Sequence, residues 1–146
     1  MARRDWEEYN IDWMLYVVWS KVKGNEDFKK ILLELPDDSV IIEDSTFQAG
    51  RTATVWGTKN KIQKGLAMDY KKELKGRGMS KKCIKDLCDE KRLGEWRKSG
   101  VYEGKNLMGK ILMLCRDALK KGVVPQIDFD LLKRKNIYLL SEKVGF

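Results

Sequence analysis

The spacing of apolar residues along the chain predicts mainly helices. Between residues 4 and 22, aromatic and aliphatic side chains recur every three or four positions, which is the period of an α-helix. We expect this helix to be mostly buried, with Trp6 and Met14 in structural roles. A second helix is predicted to begin after a cap at Asn25 and to stop before Pro36. The predicted inward-facing residues are Trp6, Tyr9, Trp13, Met14, Tyr16, Val17 and Val18 in the first helix and Phe28, Ile31, Leu32 and Leu35 in the second.

The pattern then changes from helical to extended. The β-branched run "SVIIED", residues 39–44, predicts a short strand that ends in Glu43 and Asp44. Residues 45–65 show no clear period and predict a long loop around the Trp56–Gly57 pair.

The second half of the chain predicts four more helical segments. Two short helices are expected over residues 66–76 and 80–94, the latter capped by Ser80. A central helix over residues 106–121 and a helical tail over residues 128–140 follow. Their apolar stripes comprise Ile111, Leu114, Cys115, Ala118 and Leu119 in the central helix and Phe129, Leu132, Ile137 and Leu140 in the tail. We therefore expect one mainly helical domain over residues 1–146.

The net charge of +8 is concentrated in one segment. Residues 58–98 hold 14 Lys/Arg and 6 Asp/Glu, so their net charge of +8 equals that of the whole chain. A basic helical insertion over residues 58–100 is the interpretation we favour, with a solvated surface. Nucleic acid binding through the region Lys59–Lys98 is the weaker alternative, because few aromatic residues accompany the charge.

Cysteine and histidine usage excludes several kinds of site. The chain has no histidine and three cysteines without zinc-ligand spacing, so no metal site is predicted. We expect Cys83, Cys88 and Cys115 to be reduced and half-buried. No apolar run approaches the roughly 20 residues that span a bilayer, and no signal sequence is evident, so a cytoplasmic protein without membrane contact is expected.

The peptide "GKNLMGKILMLCR", residues 104–116, combines features of a helix start with those of a binding site. Asn106 can cap the helix, and this structural role is as plausible as ligand binding. Gly104 and Gly109 would let another backbone or a ligand approach closely. Arg116 lies two turns after Gly109 and should share its face, although a surface ion pair is the commoner fate of an arginine.

Two further residues have both a structural and a functional interpretation. Glu43 ends the predicted strand, where a carboxylate is usually just solvated. Trp56 can fill a core position or form a flat wall on which a base or sugar stacks. Neither residue identifies an activity on its own.

The order of these features resembles the C-terminal two-thirds of the NADAR domain, the YbiA-like family associated with NAD, ADP-ribose and riboflavin metabolism. The similarity covers residues 3–57 and 101–119, and the peptide from Gly104 to Arg116 is its most specific part. The matching residues are Arg3, Trp6, Glu7, Met14, Lys21, Phe28, Leu32, Leu33, Glu43, Trp56, Gly57, Gly104, Asn106, Gly109, Leu112, Met113, Arg116 and Leu119.

The resemblance implies an α+β fold that is predominantly helical, with a short sheet. It also implies an N-glycosidase acting on ADP-ribosyl or ribosyl-phosphate conjugates, without a cofactor. Glu43 would be the catalytic carboxylate that stabilises an oxocarbenium-like centre. The residues implied to bind the ligand are Trp56, Gly57, Gly104, Lys105, Asn106, Gly109 and Arg116.

A second hypothesis is a non-catalytic module that binds ADP-ribose or a nucleotide, or a structural protein. It rests on two differences from the family pattern. Ala53 stands where the family usually has an aspartate, and the family's leading glutamate has no counterpart before Arg3. A partner chain that supplies missing site residues is the remaining expectation.

Overall fold

The computed structural model describes residues 3–139 and 142–146, which form helices and one short sheet. The helices in this part of the chain are α1 (Trp6–Gly24), α2 (Glu26–Glu34), α3 (Ala53–Trp56), α4 (Lys61–Gly76), α5 (Lys81–Leu93), α6 (Leu107–Lys121) and α7 (Phe129–Arg134), with a 3-10 turn at Trp96–Lys98. Strands β1 (Tyr138–Leu139) and β2 (Glu142–Lys143) pair in antiparallel fashion. The chain is thus predominantly helical with a short sheet, as expected for the α+β class.

The chain forms two compact units. One unit comprises the chain up to Ile41 and from Gly109 onward, and we call it the terminal unit. The other is Ile42–Met108, which we call the central unit. Helix α6 begins in the central unit and continues into the terminal unit.

The terminal unit has an aromatic core built on α1 and α7. Tyr9, Leu132 and Ile137 are buried there, and Trp6 packs edge-on against Tyr9 with ring centroids 5.4 Å apart. Trp6 and Met14, for which structural roles are predicted, are both half-buried. The partly buried apolar side chains packed against this core are Trp6, Trp13, Tyr16, Ile127, Leu131, Val144 and Phe146.

The central unit has a core of its own, formed by α4, α5 and the 3-10 turn. Its buried residues are Ala67, Leu74, Ile84, Cys88 and Trp96, with Tyr70 and Leu87 packed against them. All of them lie inside the segment 58–100. Ser80 caps α5 as predicted, because its hydroxyl oxygen accepts a hydrogen bond from the amide of Cys83.

Some predicted stripe positions are wrong. Val17, Ile31 and Leu114 are 39%, 58% and 52% exposed. At Val17 the prediction chose the wrong side of α1, because the buried Leu15 and Trp19 lie across the helix from it. Cys83 is also exposed, whereas Cys88 and Cys115 are buried, and all three thiols are free.

The predicted strand over residues 39–44 is wrong. In this segment Asp44 forms an isolated parallel bridge with Thr58, and no longer ladder follows. Val40 and Ile42 are 69% and 43% exposed, so the β-branched run is not covered as a sheet strand would be.

The predicted loop over residues 45–65 is interrupted by helix at two places. Helix α3 has four residues, too few to show a period. Helix α4 begins at Lys61 because the side chain of Asn60 accepts a hydrogen bond from the amide of Gln63, at 3.0 Å.

The helical tail is shorter than predicted. Asp128 caps α7 through the amide of Leu131, but the helix ends at Arg134. Asn136 then adopts a left-handed backbone (φ 47°) that leads into β1. Leu140, the last predicted apolar position, lies outside the described residues. Among the helices that are described, none is both long and apolar enough to cross a bilayer.

Candidate functional site

Backbone hydrogen bonds in the central unit join three segments that are far apart in sequence. The amide of Thr58 donates to the carbonyl of Glu43 at 2.8 Å, and the amide of Ser45 donates to the carbonyl of Thr58 at 2.9 Å. Lys59 and Glu103 exchange a pair of bonds at 2.9 and 3.0 Å. The predicted strand end and the Trp56–Gly57 segment therefore meet the residue just before the peptide 104–116, which we call the GKN peptide.

Two glycines of the predicted site are required by this close approach of backbones. A β-carbon at Gly104 would lie 2.4 Å from the carbonyl oxygen of Gly57, and the φ of Gly104, 153°, disfavours other residues. A β-carbon at Gly57 would lie 2.8 Å from the carbonyl oxygen of Glu43 and would also collide with the hydroxyl of Ser45. What approaches these glycines is therefore the chain itself.

The GKN peptide also uses its amides within the unit. The amide of Lys105 donates to the carbonyl of Thr54 at 2.8 Å, and that of Asn106 donates to the carbonyl of Gly57 at 3.3 Å. These two amides are engaged by protein carbonyls, whereas the side chain of Lys105 is exposed.

Asn106 connects α6 to Glu43. Its Oδ1 accepts a hydrogen bond from the amide of Glu43 at 3.0 Å, although the two residues are 63 positions apart. Asn106 is buried and has a left-handed backbone with φ 53°, which asparagine tolerates better than most residues. An N-cap usually has extended backbone angles, which Asn106 does not adopt, and its side-chain oxygen binds the distant amide of Glu43.

Glu43 lies in a cleft of about 230 Å³ together with Trp56. Its amide is held by Asn106, and its carbonyl accepts from both the amide and the hydroxyl of Thr58. Its carboxylate takes part in no hydrogen bond or ion pair with the described part of the chain. The residues that line the cleft are Glu43, Ser45, Gln48, Thr52, Ala53, Trp56 and Met108. Sequence reasoning missed Ser45, Gln48, Thr52 and Met108, which carry no motif signal.

A second cleft in the same unit is basic. It measures about 480 Å³ and is lined by Thr46, Thr54, Lys59, Asn60, Lys61, Lys64, Glu103 and Gly104. The sequence analysis missed this cleft; a signal that could have indicated it is Asn60 as a helix cap with Lys61 and Lys64 three positions apart in the first turn. Nearby, burial and the charge of Asp44 raise the pKa of Tyr102 above its ordinary value.

Gly109 and Arg116 lie in the terminal unit, on α6, and both are buried. The guanidinium of Arg116 donates to the carbonyls of Pro36 and Ser39 and to the carboxylate of Asp117. These bonds hold the turn after α2 against α6. Arg116 is therefore neither a solvated surface arginine nor a member of the Glu43 cleft lining.

No group of three or more His, Cys, Asp or Glu within the described residues is arranged to hold a metal ion.

Comparisons with protein-family models, with curated proteins and with solved structures yield no significant match. Functional inference therefore depends on the chain's own residues.

Proposed function

We propose that this protein is a cytoplasmic NADAR-like (YbiA-like) N-glycosidase that acts on an ADP-ribosyl or ribosyl-phosphate conjugate, with Glu43 as its catalytic group. One observation carries the proposal. A carboxylate that has no partner among residues 3–139 and 142–146 lies in the same cleft as Trp56, and its backbone is held by hydrogen bonds to Asn106 and Thr58. Three segments on which the family resemblance depends thus converge on one cleft.

The chemistry requires a negative charge that is held in place. When the bond between the ribose anomeric carbon and nitrogen breaks, its electron pair leaves with the nitrogen, and the sugar becomes oxocarbenium-like. The Glu43 carboxylate stabilises that positive centre by its charge, from a backbone that is held by hydrogen bonds to Asn106 and Thr58. Water then adds to the anomeric carbon and loses one proton to solvent, while the leaving nitrogen takes up one proton, so the products are the free sugar hydroxyl and the N–H compound and no cofactor is needed.

The size of the cleft favours a small part of the conjugate. Ligand pockets usually measure roughly 300–1,000 Å³, so about 230 Å³ accommodates a ribosyl group and leaves the remainder outside. Trp56 offers that group a flat apolar wall. The exposed side chain of Lys105 supplies positive charge to a phosphate.

A second function, binding of an ADP-ribose-like ligand without turnover, is favoured by Ala53. This residue lines the cleft at the position where the family usually carries an aspartate. Glu43 is then the one carboxylate among the lining residues, and a general acid for the leaving nitrogen has to come from elsewhere.

Substitution of Glu43 by Gln distinguishes the two functions. Hydrolysis of ADP-ribosylated guanine and of a ribosylaminopyrimidine phosphate is measured by chromatography, and binding of ADP-ribose is measured by calorimetry. For the enzyme, Glu43→Gln should lower turnover on the order of a hundredfold while affinity changes little, because charge is lost and shape is kept.

The matched control is Glu103→Gln, which removes a carboxylate from the basic cleft of the same unit. It should leave turnover unchanged. Undiminished turnover in Glu43→Gln would exclude the catalytic assignment, and ADP-ribose binding without any wild-type turnover would establish the binding module.

A further inference from the structure

The basic and acidic side chains of helix α4 lie on different sides of the helix. Five lysines of this helix are exposed: Lys61, Lys64, Lys71, Lys72 and Lys75. At about 100° per residue they fall within one arc of about 100°. Asp69 and Glu73 lie outside that arc, and the buried Gln63, Ala67 and Leu74 lie on another side. We call the five residues the lysine stripe.

The lysine stripe is poorly neutralised by the protein itself. Within the described residues, Lys61 is its one member in an ion pair, with Glu103 at 3.5 Å, and both side chains are well exposed. Glu73, the acidic residue closest in sequence to Lys72, is paired with Arg77. Like charges three or four positions apart destabilise a helix, so the stripe has an energetic cost that a bound polyanion would offset.

Two features extend the stripe beyond α4. At one end, Lys61 and Lys64 join Lys59 in lining the basic cleft of about 480 Å³. Beside the stripe, Phe47 is 42% exposed, and its ring centroid lies 5.7 Å from Nζ of Lys71 and 5.8 Å from Cζ of Arg92. Proteins that bind single-stranded nucleic acids combine basic residues that contact the backbone with aromatic rings on which bases stack, and Phe47 with Lys71 and Arg92 within 6 Å offers both.

We propose that the lysine stripe, the basic cleft and Phe47 form a binding surface for the phosphodiester backbone of a single-stranded nucleic acid. The stripe extends about 21 Å along α4, at about 1.5 Å per residue, which is long enough to follow several phosphates. Lysine ammonium groups neutralise the phosphates, and Phe47 contacts a base. This inference does not depend on the activity proposed for Glu43, since the two clefts have no lining residue in common.

Binding is measured by fluorescence anisotropy with a labelled 20-nucleotide single strand and with the matching duplex, between about 50 and 200 mM salt. If all five lysines contact phosphates, the slope of log K against log salt should be about −3.5 on the single strand. Lys64→Gln combined with Lys72→Gln should make that slope shallower by about 1.4. These side chains are exposed, so the circular dichroism spectrum should not change, and the melting temperature should not fall, because the substitutions reduce repulsion within the stripe.

The matched control is Lys121→Gln combined with Lys133→Gln, which removes the same charge from exposed positions of the terminal unit. It should keep the wild-type slope. Phe47→Ala leaves every lysine in place and should weaken single-strand binding at least fivefold while duplex binding stays the same.

Four results would overturn the proposal. The first is no binding of either oligonucleotide at about 50 mM salt, and the second is an unchanged salt slope in the variant with Lys64→Gln and Lys72→Gln. The third is an equally reduced slope in the control with Lys121→Gln and Lys133→Gln. The fourth is binding of phosphatidylserine vesicles in place of the oligonucleotides. Single-strand binding that is insensitive to Phe47→Ala would refute the preference for a single strand.

Discussion

The hydrogen bond between Asn106 and Glu43 predicts an ordered series of substitutions at Asn106. Asn106→Ala removes the acceptor of the Glu43 amide and places an alanine at φ 53°. Asn106→Gly removes the same acceptor but relieves the backbone. Asn106→Asp keeps an acceptor oxygen and, like asparagine, tolerates the left-handed conformation.

The magnitudes follow from two contributions. A donor that is left unsatisfied costs about 1–3 kcal/mol, and a left-handed backbone costs an alanine about 1–2 kcal/mol. The free energy of unfolding should therefore fall by about 2–5 kcal/mol in Asn106→Ala and by about 1–3 kcal/mol in Asn106→Gly. Asn106→Asp should be the mildest of the three.

Urea unfolding followed by circular dichroism gives the order, provided that the slope m is the same in all variants. Hydrogen exchange of the Glu43 amide gives the local cause. It should be faster in Asn106→Ala and Asn106→Gly and close to wild type in Asn106→Asp. Equal stabilities of the Ala and Gly variants, or an exchange rate of Glu43 that no variant changes, would refute the reasoning.

Two more predictions concern the central segment and the thiols. Replacing residues 61–98 by two glycines should leave a chain that unfolds cooperatively. The ends to be joined are close, because Nδ2 of Asn60 lies 2.6 Å from the carbonyl of Ser99, and the buried cluster of α4, α5 and the 3-10 turn is removed as a whole. A non-cooperative melt would contradict this prediction. Burial raises the pKa of Cys115 from 9.0 to about 11, so the free energy of unfolding should decrease as the pH rises from about 9 towards 11. Ellman's reagent at pH 8 should label the exposed Cys83 before the two buried thiols. Rapid labelling of Cys115 in the folded protein would be the contrary result.

Local sequence signals were sufficient for most helix boundaries. Asn25 and Ser80 accept hydrogen bonds from amides three residues ahead, and α6 ends at Lys121, before Gly122 with φ 68°. Such caps depend on residues within one turn, so they can be identified without knowledge of the fold. The same reasoning failed for α3, because four residues show no period.

The candidate cleft was predicted only in part. Glu43 and Trp56 were named from a resemblance, and both line it. Ser45 and Met108 could not be named, because no motif or periodicity distinguishes them. The lysines of α4 are visible in the sequence as a charge excess. Whether an acidic side chain neutralises them is decided by the structure, in which Asp69 and Glu73 lie outside the arc of the lysine stripe.

Propensity, capping and charge act over a few neighbouring residues, so the sequence alone was sufficient for most of the helices, for the caps at Asn25 and Ser80 and for the basic segment, but not for α3 or for the end of α7. Tertiary structure decided what the glycines and the buried polar residues do. Gly104 is required because the carbonyl of Gly57, 47 positions earlier, lies where a β-carbon would be. Asn106 and Arg116 bind the backbone of residues 63 and 77 or more positions away. Those partners are brought close only by the folded chain, because a hydrogen bond acts over about 3 Å and leaves no periodic trace in the sequence.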